Sequence, residues 1–173
     1  MARDALLAGQ IMVAETPEDG ILGAGFYFGP GQVMLGSEKQ REQGFNQLIR
    51  SVNEDARRWF TGYFLEEMLR GSVEGVYGPG VERDHYHIPY GGVLPNHKGK
   101  GVGKALIQHV EEKAKSEGLD VVLETFTPGN VAIYEKLGYK VEGIAYLEHP
   151  AVPESMKLWC FRKRLNTKAR ARL

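Results

Sequence analysis

The chain has a single cysteine, Cys160, inside the apolar run "KLWCF". One thiol cannot close an internal disulfide. This excludes a disulfide-stapled scaffold and makes a reducing compartment the default. No apolar run approaches the about 20 residues of a membrane-spanning helix. The opening stretch, "MARDALLAGQ", lacks an apolar core of signal-peptide length. A cytoplasmic protein without a membrane partner is expected. An excess of charge of one sign is also missing. Lys plus Arg and Asp plus Glu each number 22, so no global field draws the chain to nucleic acid. Internal repeats and low-complexity stretches are absent as well. What remains is an ordinary globular composition, 42% apolar and 25% charged over 173 residues. That length suits a single domain spanning 1–173 with one core.

Charge is uneven only near the end. From Lys157 to Leu173 stand Lys157, Arg162, Lys163, Arg164, Lys168, Arg170 and Arg172, with no acidic residue among them. The tail 166–173 reads either as a solvated terminus or as a contact for phosphate groups.

Periodicity orders the rest. "GQIMVAE" (9–15) and "GILGAGFYFG" (20–29) read as two strands joined by the turn "TPEDG". A helical period follows from 37 to 70. Phe45, Leu48, Ile49 and Val52 form one stripe, and Phe60, Phe64 and Met68 form another on a second helix. "HYHIPYGGVL" (85–94) is a strand in which Pro89 and Gly91–Gly92 predict a bulge. Residues 102–116 read as an amphipathic helix closed by Gly118. Residues 119–126 read as a buried strand. Residues 127–138 read as a short helix with Thr127 as cap, Pro128 in its first turn and Gly138 beyond its end. "YKVEGIAYLE" and "SMKLWCFRKRL" are two last strands. The order predicts an α/β (α+β) sheet covered by helices, with a helical insert at about 37–80.

One stretch carries chemistry. "LPNHKGKGVGKALI" (94–107) sets Gly99, Gly101 and Gly103 at alternate positions among Lys98, Lys100 and Lys104, then enters a helix. Glycines let a ligand approach the backbone, and a helix N-terminus offers free N–H groups to an anion. A plain tight turn with solvated lysines is the competing reading. Two phosphate motifs are excluded. A P-loop ending at Gly103-Lys104 needs glycine at 98 and Ser or Thr at 105, but the chain has Lys98 and Ala105. The dinucleotide pattern places its last glycine on Lys104 or Leu106.

"VLPNHKGKGVGKALI" resembles the acetyl-CoA loop of the GNAT superfamily of N-acetyltransferases, Gln/Arg-x-x-Gly-x-Gly/Ala after a V-x-P strand end. Here it reads Lys98-Gly99-Lys100-Gly101-Val102-Gly103 after Val93-Leu94-Pro95. "NVAIYEKLGYKVEG" (130–143) resembles the second family signature. The likeness covers residues 9–165 apart from the insert. It implies a mixed, mostly antiparallel sheet splayed at the fourth family strand, with helices on both faces. It implies acetyl-CoA as co-substrate, an amine acceptor, and no metal. It further implies that the loop amides, with Lys98, Lys100 and Lys104, hold the pyrophosphate. The Val93 N–H would polarise the thioester carbonyl, and the Tyr134 hydroxyl would lie near the sulfur. Asn130, four residues before Tyr134 where many members have seven, either reaches the cofactor or only starts the helix.

Departures from the family leave questions. Lys98 keeps a positive charge but not the planar donors of Gln or Arg. On this resemblance the first strand and most of the first helical pair are expected to be missing, so "GQIMVAE" should be an edge that pairs with a second copy or is covered by the insert or by residues 1–8. Trp59, Phe60, Tyr63 and Phe64 either line an acceptor pocket or pack on the sheet. A general base is not evident. Asp84, His85, His87 and Glu124 are the candidates, with His85 and His87 on one strand face. The expected function is acetyl transfer to a small-molecule amine. Alternatives are a non-catalytic CoA-binding protein and a binding module that uses the basic tail.

Overall fold

The computed structural model describes residues 2–64, 73–149 and 152–165. A short helix, α1 (Ala2–Ala8), leads into a hairpin of β1 (Gln10–Thr16) and β2 (Gly20–Phe28). Three short helices follow, α2 (Glu38–Arg41), α3 (Phe45–Ser51) and α4 (Glu54–Arg58). Residues 59–64 then coil as a π-helical turn. Past 73 come α5 (Val73–Tyr77), α6 (Val81–Asp84), β3 (Tyr86–Val93), α7 (Val102–Ser116), β4 (Val121–Thr125), α8 (Pro128–Lys136), β5 (Lys140–His149) and β6 (Val152–Lys163). The strands form one sheet in the order β1-β2-β3-β4-β6-β5. Its pairs are antiparallel except β3 with β4.

Each face buries its own core. On one face, Leu106, Val110 and Ala114 from α7 pack on Tyr86, Ile88, Val121, Leu123 and Phe161, with Tyr134 of α8 at the margin. Spacing of four along α7 makes that stripe. On the other face, Val73 and Tyr77 from α5 pack on Val122, Leu147, Leu158 and Cys160. Among the described residues no helix is long and apolar enough to cross a membrane.

The insert differs from the expected helical pair. Asn53 caps α4 through the Ala56 N–H, and Gly44 turns the chain at φ 121°. Local caps therefore cut the 37–64 region into short pieces. Phe45 and Ile49 are buried as the period predicts, whereas Leu48 stays exposed. Met68 and the basic tail 166–173 lie outside the described residues. The aromatics pack: Trp59 lies 5.0 Å from Phe60 and 5.2 Å from Phe64. The Trp59 indole N–H donates to the Glu148 carbonyl, and the Glu148 N–H donates to the Tyr63 hydroxyl, which docks the cluster on β5. Thr127 stands at the N-cap of α8, but its side chain makes no capping bond.

Candidate active site

The site begins where the sheet opens. β3 pairs with β4 only from Tyr86–Val121 to Ile88–Leu123. Pro89 then removes a donor, and the register of β3 on β2 slips between His87 and Tyr90, the bulge expected there. Beyond it β3 stays paired to β2, while its other edge faces an open cleft. The Leu94 N–H donates to Leu22 on the β2 side. Backbone groups alternate sides along a strand, so the Val93 and Gly91 N–H groups point into the cleft. A side chain at Gly92 would meet nothing within 4 Å, and one at Gly91 only a carbonyl 4.0 Å away. The cleft wall is therefore bare backbone.

The glycine loop closes the end of this cleft. Gly99 and Gly101 adopt φ 77° and 88°, the left-handed region that favours glycine, with open space around both. Gly101 is the N-cap of α7 and offers no side-chain cap. Among the described residues the N–H groups of Val102, Gly103 and Lys104 meet no acceptor, as expected for a first helical turn. Lys98, Lys100 and Lys104 stand beside them in the chain, all exposed. Free amides, bare backbone and three ammonium groups together suit a pyrophosphate.

Across the cleft, α8 carries Tyr134. Its ring packs edge-on against Phe161 at 5.3 Å and Tyr139 at 6.2 Å. Among the described residues its hydroxyl has no hydrogen-bond partner. Burial, then the charge of Glu124, raises the phenol above its ordinary value. It stays protonated at neutral pH and can donate. The Asn130 amide donates to Thr125 Oγ1 at 3.1 Å, tying α8 to the end of β4. That bond supports the helix-start reading, and among the described residues Asn130 Oδ1 accepts no hydrogen bond.

The proton-holding candidates separate. His85 sits between donors, the Asp120 N–H 3.3 Å from Nδ1 and the Arg162 guanidinium 2.9 Å from Nε2. Burial, then Arg162, lowers its pKa. His85 thus belongs to the Arg162–Asp120 ion pair, whose closest contact is 2.6 Å, and packs the sheet. Asp84 is exposed and pairs with Arg83.

His87 shares the sheet face of His85, as its spacing predicts, but joins a different cluster. It is buried, with Nε2 2.7 Å from Glu124 Oε2 and 3.6 Å from Glu82 Oε1. Burial pushes its pKa down, yet Glu124 and Glu82 together outweigh burial and hold it at about 9. Held there, His87 is an imidazolium paired with Glu124. The group that titrates near neutrality is Glu82, lifted to about 7 chiefly by burial. Tyr77, buried, donates toward Glu124 Oε1 at 2.6 Å and fixes that carboxylate. Glu124 directly follows Leu123, the last β4 residue paired to β3, so the cluster stands at the foot of the cleft. Glu82 and Tyr77 were not singled out in the sequence, because neither lies in a motif.

This cluster predicts a pH dependence of stability. Glu82 rises from 4.5 to about 7 and His87 from 6.5 to about 9, so the folded state holds both protons more tightly than the unfolded chain. The stability they contribute is complete below the ordinary values and is lost as pH climbs through the raised ones. The melting temperature is expected to fall from about pH 5 to about pH 9. Glu82→Gln should flatten the acidic half of that fall. Thermal scans in which the melting temperature rises with pH, or in which the variant runs parallel to the wild type, contradict this.

Residues 30–139 match the Acetyltransferase (GNAT) family. An acetyltransferase from Yersinia pestis (strain Pestoides F) is 26% identical over 98 residues, covering 55% of this chain and 66% of that protein. The chain thus spans just under two thirds of that relative's length. Naa20 of Chaetomium thermophilum, solved with a bisubstrate analogue, is similar with a TM-score of 0.55 at 19% identity, over 92% of this chain and 68% of that one. A GNAT superfamily phosphinothricin acetyltransferase from Sinorhizobium meliloti, solved with AcCoA, gives 0.50 at 13% identity, over 90% and 60%. At such identities the structural likeness establishes the fold, the expected mixed, mostly antiparallel sheet opened at β3. The family match extends over more than half of the sequence, and the chain belongs to the acetyltransferase (GNAT) family.

Proposed function

We propose that the protein transfers the acetyl group of acetyl-CoA to the amine nitrogen of a small molecule by direct attack on the thioester. Family membership implies acetyl-CoA as the co-substrate. The observation that carries the mechanism is the Val93 N–H, which faces the open cleft beside the free amides of α7. Pyrophosphate on Val102, Gly103 and Lys104 would lay the pantetheine arm along Gly91–Val93. The thioester oxygen then accepts from Val93, which stabilises the negative charge of the tetrahedral intermediate. The amine nitrogen bonds to the carbonyl carbon, the carbon–sulfur bond breaks, and the Tyr134 hydroxyl donates to the departing thiolate. The proton lost by the amine passes to the Glu124–His87–Glu82 cluster, where Glu82 is the group able to take it near neutral pH. The test is amine-dependent release of CoA thiol from acetyl-CoA.

The sheet edge supports a proposal about assembly. β1 pairs only with β2 among the described residues, and Ile11 and Val13 are 43% and 47% exposed. Such an edge recruits a partner strand. We expect a homodimer through β1. Sedimentation should show a mass that rises with concentration and returns to the monomer value in Val13→Lys. A monomer at all concentrations contradicts it.

A further inference from the structure

A cavity of about 290 Å³ opens on the sheet face opposite α7 and α8. Its walls are the loop from Val33 to Gly36 on one side and Glu74, Tyr77, Glu82 and His87 on the other. Val33, Met34 and Leu35 make the loop wall apolar, whereas the inner wall is acidic. Among the described residues the charges there do not cancel. His87 is matched by Glu124 at 2.7 Å, and Arg83 by Asp84 at 3.1 Å. Glu74 and Glu82 remain. Glu74 accepts from the Gly80 N–H at 2.8 Å. Glu82 accepts no hydrogen bond among the described residues, and its nearest cation is the already paired His87 at 3.6 Å. Its side chain is only 21% exposed, and it lines the cavity. A carboxylate so placed loses water without gaining a partner, a cost that a cationic ligand would offset. The facing loop is strained as well. Leu35 holds φ 55°, and its side chain is buried with its carbonyl bound by Arg41. Strain of this kind persists where packing over-determines it, commonly at ligand sites.

We infer that this cavity binds a compact organic ammonium, with the charged head on Glu82 and the apolar body against Val33–Leu35. On the acetyl-transfer reading, on which this rests, the ligand is the acceptor, and Glu82 both receives its ammonium and leads its proton away. Glu82, His87 and Glu124 each offer a ligand atom within 4.8 Å of the others, so a divalent metal is the rival cation. The geometry favours the amine. A metal would have to separate the 2.7 Å His87–Glu124 pair, and it would leave the apolar wall without a use.

The test reads binding, not turnover. Benzylamine and 1,4-diaminobutane are titrated into the protein, alongside benzyl alcohol and 1,4-butanediol as neutral counterparts and Zn²⁺ and Mn²⁺ as metals. The amines should bind and raise the melting temperature while the alcohols do not. Glu82→Gln should weaken amine binding about tenfold or more, the loss expected for a charged hydrogen bond, with CoA affinity unchanged. Val33→Trp, at the rim and away from the buried cluster, should block the amines by filling the space. Alcohols as effective as amines, amine binding indifferent to both variants, a response to metals alone, or no response at all would each overturn the proposal. Amine binding without thiol release would keep the cavity assignment and remove the transferase reading. Thiol release indifferent to both variants would do the opposite.

Discussion

Tyr134→Phe is expected to fold normally, to bind acetyl-CoA as the wild type does, and to turn over at least about tenfold more slowly. The ring is the packing element. It stands edge-on to Phe161 and Tyr139, and the phenylalanine ring keeps both contacts. The hydroxyl is the chemical element. It has no partner within the described residues, and burial with the charge of Glu124 keeps it protonated. When the tetrahedral intermediate collapses, CoA departs as a thiolate whose conjugate acid has a pKa near ~8.5. That group leaves moderately well unaided, so the loss should sit at the low end of the roughly 10²–10⁴-fold typical of a positioned acid, or just beneath it. Equal turnover in the two proteins would make Tyr134 a packing residue only.

The second large effect is on binding. Gly103→Val should reduce CoA affinity about tenfold or more in a folded protein. Three amides, on Val102, Gly103 and Lys104, form the proposed pyrophosphate seat. Losing even one hydrogen bond to a charged group costs roughly 1.5–3 kcal/mol, which is about a tenfold to hundredfold change in affinity. The fold itself should tolerate the change. A Cβ at Gly103 meets only Val93 Cγ2, at an ordinary 3.5 Å. Valine is also a better helix former than glycine. Calorimetric titration of CoA checks this alongside the far-UV circular dichroism of the variant. Unchanged affinity with an unchanged spectrum removes the pyrophosphate from this loop.

What was legible in the sequence follows physical locality. Gly99 and Gly101 could be read because a bare backbone is written at its own positions; their positive φ, 77° and 88°, came only with the structure. The α7 stripe could be read because Leu106, Val110 and Ala114 repeat along one helix. The bulge in β3 followed from Pro89. Glu82 could not be read. Its meaning comes from Glu124, on a strand distant in sequence, and from His87, whose pKa is lowered by burial but raised overall by the two carboxylates beside it. The histidine pair shows the same limit. Alternation along the strand correctly placed His85 and His87 on one face. Burial lowers both; Arg162 adds to that for His85, whereas Glu124 and Glu82 overcome it for His87, so the two shift in opposite directions. In the insert, the period suggested a helical pair, but the caps at Gly44 and Asn53 outweighed it.

The central claim is that the cleft between β3 and β4 holds acetyl-CoA and delivers its acetyl group to an amine. The most direct measurement follows thiol release from acetyl-CoA across a panel of primary amines and identifies the acylated product by mass, with CoA binding confirmed separately. The account predicts thiol and N-acetylated amine in equal amounts, each dependent on the amine. Tight CoA binding with no amine-dependent thiol release across a broad panel would contradict it and leave a CoA-binding protein without transferase activity.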